Sequence, residues 1–132
     1  MVRDVIVLDT HALVWWVEQP ELLGSGAAEA ISRARRILVP AICFWETSLL
    51  VRKGRLALKG GQPVPQWAAE VLAIPRLRAV ALSPELAIAA DALDMHPDPA
   101  DRFIAATAMS EKCPLVTKDG LLQVIPWLQT VW

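Results

Sequence analysis

Along the chain, short runs that are apolar at every position alternate with longer segments whose apolar residues recur at helical spacing. Residues 5–8 (Val-Ile-Val-Leu) are continuously apolar, which predicts a strand buried on both faces. Residues 12–18 read as helix, and Ser25 as the N-cap of a second helix running to about Arg36. Residues 37–39 form the next strand, and residues 42–53 a helix stopped by Gly54. Residues 55–63, rich in glycine and cations, are expected to be a loop. Helix is expected again over residues 65–73, and strand over residues 79–82. Ser83-Pro84 supplies a cap and a first-turn proline for a helix ending near Leu93. Asp98-Pro99 opens another that reaches about Lys112. Residues 115–117 read as a fourth strand and residues 128–131 as a short fifth. Strands alternating with helices, with no repeat or linker between them, predict a single α/β domain over residues 1–132, its parallel sheet covered on both faces.

Such sheets gather ligands beyond the C-terminal ends of their strands, and carboxylates stand there. Asp9 closes the first apolar run, and Asp119 follows the fourth in Val116-Thr117-Lys118-Asp119-Gly120. Each also has a structural reading, Asp9 as a helix cap and Asp119 as half of an Asp-Gly turn. Asp98 and Asp101 in Asp98-Pro99-Ala100-Asp101 suit a capped helix start, where the dipole favours negative charge. Glu46, in Cys43-Phe44-Trp45-Glu46-Thr47, is placed on the inward stripe of its helix with Ile42, Leu49 and Leu50, with Thr47 and Ser48 directed elsewhere. A carboxylate there is costly without a partner or a metal. If the four acids Asp9, Glu46, Asp101 and Asp119 converge, each close pair repels by roughly 4 kcal/mol at 4 Å and an effective dielectric near 20. Hard, oxygen-preferring dications such as Mg²⁺ or Mn²⁺ relieve that repulsion. His11 and His96, read as a first-turn helix residue and a loop residue, are too scattered to build a zinc site with Cys43 or Cys113.

Net charge is −1, so any affinity for a polyanion must come from a local patch. Arg52, Lys53, Arg55 and Lys59 around the glycine loop, with Arg102 and Lys118 beside the acids, are the candidates. The 55% hydrophobic content points to apolar surface covered by a partner as well as to a core. Cys43 and Cys113 lack C-x-x-C spacing and read as free thiols of a reducing compartment. The first apolar run is too brief for a signal peptide, and none approaches the ~20 residues of a membrane span. A cytoplasmic protein is expected.

Four stretches together resemble one family: Leu8-Asp9-Thr10-His11-Ala12-Leu13-Val14-Trp15-Trp16, Phe44-Trp45-Glu46, residues 96–106 (His-Pro-Asp-Pro-Ala-Asp-Arg-Phe-Ile-Ala-Ala), and Leu115-Val116-Thr117-Lys118-Asp119. In this order and spacing they are similar to PIN-domain proteins, specifically the VapC-like toxins of toxin–antitoxin pairs. The resemblance spans essentially the whole chain. It implies a three-layer α/β/α PIN-like fold with a five-stranded parallel sheet, and a Mg²⁺- or Mn²⁺-dependent endoribonuclease. It also implies an RNA substrate, a cognate antitoxin and a homodimer. On that pattern Asp9, Glu46, Asp101 and Asp119 form the acidic site, with Asp98 an accessory acid and Thr117 a hydroxyl near Asp119. Two positions depart from it: Pro40-Ala41 stands where a small hydroxyl residue often precedes the glutamate helix, and Lys118 adds a cation beside Asp119. An aspartyl phosphatase of the haloacid dehalogenase type wants an aspartate two residues after Asp9, where His11 stands. A Mg²⁺-binding phosphoacceptor domain leaves Glu46 and Asp101 unexplained. A non-catalytic PIN-fold module binding RNA or protein is the remaining alternative.

Overall fold

The computed structural model describes residues 4–132. Five parallel strands form one sheet: β1 (Val5–Leu8), β2 (Arg36–Pro40), β3 (Leu77–Val80), β4 (Leu115–Val116) and β5 (Thr130–Val131), in the order β3-β2-β1-β4-β5. Between them run α1 (Thr10–Glu18), α2 (Ser25–Arg33), α3 (Ile42–Arg52), α4 (Val64–Leu72), α5 (Pro84–Asp91), α6 (Pro99–Glu111) and α7 (Gly120–Gln123). The result is the expected three-layer α/β/α arrangement.

The central strands are apolar throughout because both faces are covered: Val7, Leu8, Ile37, Val39, Leu115 and Val116 are all buried. Strand β1 lies between β2 and β4, pairing Val5 with Arg36 and Leu8 with Val116. Strand order therefore reverses at β1, with the chain winding toward β3 on one side and toward β5 on the other. At such a switch point the connections diverge and open a crevice beyond the strand ends.

Local details differ from the sequence expectation for identifiable reasons. Helix α2 ends at Arg33, and Arg36 already belongs to β2. Its N-cap is Gly24 rather than Ser25, because the C-terminal residue packs against this helix start. Ala27 N–H donates to the Trp132 carbonyl at 2.9 Å, and a Cβ on Gly24 would lie 2.5 Å from that oxygen. Strand β3 begins two residues earlier than expected. Arg76 adopts a left-handed φ of 74° while its guanidinium donates to the Ile31 and Ala34 carbonyls, and this pins the chain so that pairing starts at Leu77. Gly54 has φ 72°, as a glycine stop of α3 requires. The short helices Pro20–Leu22, Lys59–Gly61 and α7 were not expected.

A candidate acidic site at the strand ends

Asp9 leaves β1 directly into the crevice and caps α1, its Oδ1 accepting from Ala12 N–H at 2.8 Å. Its Oδ2 accepts from the Thr117 hydroxyl, which follows β4. Thr117 is fully buried, and its Oγ1 in turn accepts from Asp119 N–H at 3.0 Å. One hydroxyl thus ties the acids of two neighbouring strands together. Asp9 is itself only 6% exposed. Burial pushes its pKa up to about 6, against the hydrogen bonds from Thr117 and Ala12 and the pull of His11, with the charge of Asp101 adding to the rise.

Asp119 caps α7 through Leu121 N–H at 2.8 Å, where an Asp-Gly turn was expected, and its side chain lines the cleft. Asp98 caps α6 and accepts from Asp101 N–H at 3.1 Å. Asp101, in the first turn of α6, meets His96 Nε2 at 2.8 Å. Burial raises its pKa, the His96 hydrogen bond lowers it, and the charges of Asp98 and Asp119 push it up again. The mutual repulsion among these acids registers through space across segments far apart in the chain.

Glu46 reaches the cleft by a different route from the one expected. The inward line of α3 is Cys43 and Thr47, both fully buried, with the Thr47 hydroxyl donating to the Cys43 carbonyl at 2.7 Å. Glu46 sits half-buried at the margin of that line, and Ile42, Leu49 and Leu50 are half-buried too. Its Oε1 accepts from the buried hydroxyl of Thr10, the first residue of α1. Ala41 offers no capping side chain to α3, so the hydroxyl beside Glu46 comes from across the cleft. Thr10 escaped the sequence reading, although its place directly after Asp9 was a usable signal. His96 escaped it as well, because nothing in a loop sequence shows that its ring turns back onto Asp101.

Asp9, Glu46, Asp98, Asp101 and Asp119 line a single cleft of about 410 Å³. Thr10, His11, Trp15, Ile104 and Lys118 complete its walls. Among the described residues, no three His, Cys, Asp or Glu side chains close into a ready-made metal cage. Asp9, Glu46 and Asp101 are each held by their own hydroxyl or imidazole, so their oxygens share the cleft without collapsing together. An all-carboxylate donor set of this kind suits Mg²⁺ or Mn²⁺, since Mg²⁺ keeps several waters and needs only one or two carboxylates directly. It does not suit zinc: Cys43 is buried, with its thiol directed at the Leu8 carbonyl.

The candidate cations divide. Lys118 is the one lysine or arginine among the described cleft-lining residues, and its Nζ rests 5.4 Å from the centroid of the Trp15 ring. Arg52, Lys53 and Arg55 are exposed at the far end of α3, outside the cleft, and Lys59 lies in a separate turn. Arg102 is not beside the acids with a free guanidinium. Its Nη1 donates to the carbonyls of Ala90, Asp91 and Leu93 and its Nη2 to that of Met95, at 2.7–3.2 Å. It ties the exit of α5 to α6 through both Nη nitrogens.

The chain matches the PIN domain family over residues 6–128. It belongs to that family. It is 36% identical over 131 residues to ribonuclease VapC22 of Mycobacterium tuberculosis (strain ATCC 25618 / H37Rv), a match covering 96% of this chain and 98% of the relative. The fold is similar to VapBC2 of Rickettsia felis bound to a DNA fragment from its promoter, with a TM-score of 0.69 and 18% identity over 96% of both chains. It is similar also to VapBC-1 of nontypeable Haemophilus influenzae, with a TM-score of 0.61 and 19% identity over 96% of both chains. The acidic cleft itself lies beyond the ends of β1 and β4.

Proposed function

We propose that the protein is a Mg²⁺- or Mn²⁺-dependent endoribonuclease and the toxin of a toxin–antitoxin pair, working in the cytoplasm. One observation carries this reading: carboxylates from four separate segments line one cleft at the switch point of the sheet. The likeness to a ribonuclease across nearly the full length supports it.

Asp9 and Asp101 would be the principal metal ligands, and Glu46 and Asp119 would complete the shell directly or through water. Bound there, a divalent ion supplies Lewis acidity, lowering the pKa of a water and stabilising the leaving oxyanion of a phosphodiester. The chain's own part is positioning. Thr117 holds one oxygen of Asp9, Ala12 N–H holds the other, Thr10 holds Glu46 and His96 holds Asp101. Asp98 fixes the helix start on which Asp101 stands. No serine, cysteine or histidine nucleophile is required. Lys118 meets substrate charge within the cleft, and Arg52, Lys53 and Arg55 meet the RNA backbone farther away.

A cognate antitoxin covers the cleft, and a homodimer uses further apolar surface. Side chains such as Trp45, at 59% exposure, and Ile88, at 73%, are available to such partners. Among the described residues no helix is long and apolar enough to cross a membrane.

Incubating total RNA with wild type and Asp9→Asn, in Mg²⁺ or Mn²⁺ with and without chelator, tests the chemistry. Wild type should cut, while chelation or the substitution should abolish cutting. Equal cleavage by both proteins would assign the activity to a contaminant. Expression of the chain alone should arrest growth, and the small product of a neighbouring gene should relieve the arrest.

A further inference from the structure

Lys118 stands among carboxylates yet, among the described residues, pairs with none of them. Its ammonium lies over the indole of Trp15 instead. Trp15 is half-buried, lines the same cleft as the acids, and is braced from outside by Trp132, whose ring meets it edge-on at 5.7 Å. His11, exposed and also lining the cleft, tilts toward it with ring centroids 5.5 Å apart. Core packing alone does not account for this group. A core tryptophan has its faces filled by apolar side chains, whereas this one carries an exposed lysine and an exposed histidine at the mouth of an acidic pocket.

We propose that His11, Trp15 and Lys118 form a subsite for one nucleotide adjoining the scissile phosphate: the Trp15–His11 wall takes the base and the Lys118 ammonium takes the phosphate attached to it. The inference rests on the ribonuclease reading and extends it to a substrate-positioning element. Before RNA binds, the indole parks the ammonium away from Asp119 and Asp9, leaving their oxygens free for the cation. When RNA binds, the lysine moves to phosphate and uncovers the ring. The exchange is favourable, because an exposed cation–π contact is worth only about two- to fivefold in a binding constant. Stacking a base on an aromatic ring is worth roughly five- to 150-fold. Stacking also tolerates every base, so the subsite sets where the strand lies rather than which base it carries.

The test uses a short oligoribonucleotide spanning a mapped cut, and a series in which one base at a time near the cut is replaced by an abasic residue. For wild type, removing the base at one flanking position should lower kcat/KM about tenfold. Trp15→Leu should show that loss on the intact oligonucleotide and be indifferent to the abasic change, while Trp15→Phe should behave like wild type. Mn²⁺ affinity measured by calorimetry should be unchanged in Trp15→Phe. Lys118→Met should weaken binding of the intact strand and reduce its salt dependence. The proposal is overturned if base removal costs wild type and Trp15→Leu equally at every position. It is overturned too if Trp15→Phe, binding Mn²⁺ normally, has lost the coupling. If Trp15→Leu does not fold, Trp15→Phe and His11→Ala with the same series decide the matter, since His11 is exposed. Absence of metal-dependent cleavage by wild type would instead defeat the nuclease reading itself.

Discussion

At the residue scale, Asp9 concentrates the conflict between stability and chemistry. Its folded-state pKa of about 6 lies above the 3.8 of the free side chain, mainly because burial disfavours the charge. The native state therefore holds a proton that the unfolded chain releases, and ionised Asp9 destabilises the fold increasingly as pH rises from 3.8 to about 6. Above that the penalty is constant, and below 3.8 it vanishes. The rise from 3.8 to about 6 sets an upper bound of about 3 kcal/mol on this penalty. Asp9→Asn keeps the shape, can still cap Ala12 N–H, and removes the charge. It should melt at a higher temperature than wild type at pH 7, with the gap shrinking toward pH 4. Calorimetric melting across that range checks this, and a gap that does not change with pH would refute it. Mg²⁺ or Mn²⁺ should raise the melting temperature of wild type and not of Asp9→Asn. Protons compete with the cation for the same oxygens, so metal-dependent cleavage should weaken as pH falls, and more metal should shift that loss to lower pH.

At the scale of elements, the joint between α5 and α6 decides how the acids of α6 are presented. Arg102 holds this joint through carbonyls on the exit of α5, and the same loop carries His96 to Asp101. Hydrogen bonds from a charged donor contribute about 1.5–3 kcal/mol each at most, and several share one guanidinium here. Arg102→Ala should cost about 2–4 kcal/mol of stability and lower cleavage by loosening His96 and Asp98. Arg102→Lys should recover little, since an ammonium cannot span the same carbonyls. A raised KM with unchanged thermal stability would instead mean that Arg102 contacts phosphate. The contrast between Arg102 and Lys118 shows where sequence reading stops. Both are cations beside an acid, and only packing tells that one is spent on backbone while the other faces the cleft.

At the scale of the whole molecule, the C-terminal strand closes the fold against the start of α2. Gly24→Ala drives a Cβ to 2.5 Å from the Trp132 carbonyl, which is backbone and cannot move aside cheaply. It should destabilise by about 1–3 kcal/mol. Gly120→Ala, with nothing among the described residues within 4 Å of its Cβ, should change stability by less than about 0.5 kcal/mol. Urea unfolding of both variants checks the pair, and equal midpoints would contradict the close approach of Trp132. The core offers a second comparison. Trp67 is fully buried and its indole N–H has no partner among the described residues, so Trp67→Phe also removes a polar group that is costly to bury. It should cost less than about 2 kcal/mol, whereas Trp67→Ala should cost about 3–5 kcal/mol.

What the amino-acid sequence determined alone was most of the main strands and helices and where several of them start or stop, features governed by neighbours along the chain. Continuous apolar runs required strands covered on both faces, Ser83-Pro84 and Asp98-Pro99 started their helices, and Gly54 ended one. Asp9 and Asp119 had to lie beyond strand ends because the apolar runs stop there. Tertiary structure decided what depends on partners remote in sequence. The Thr10 hydroxyl reaches Glu46 across 36 positions and Thr117 reaches Asp9 across 108. Which face of α3 turns inward, where β3 begins and what occupies Arg102 were settled in the same way. The physical reason is range: periodicity and capping act within a turn or two of backbone, whereas a hydrogen bond between distant segments exists only once packing has brought its donor and acceptor together.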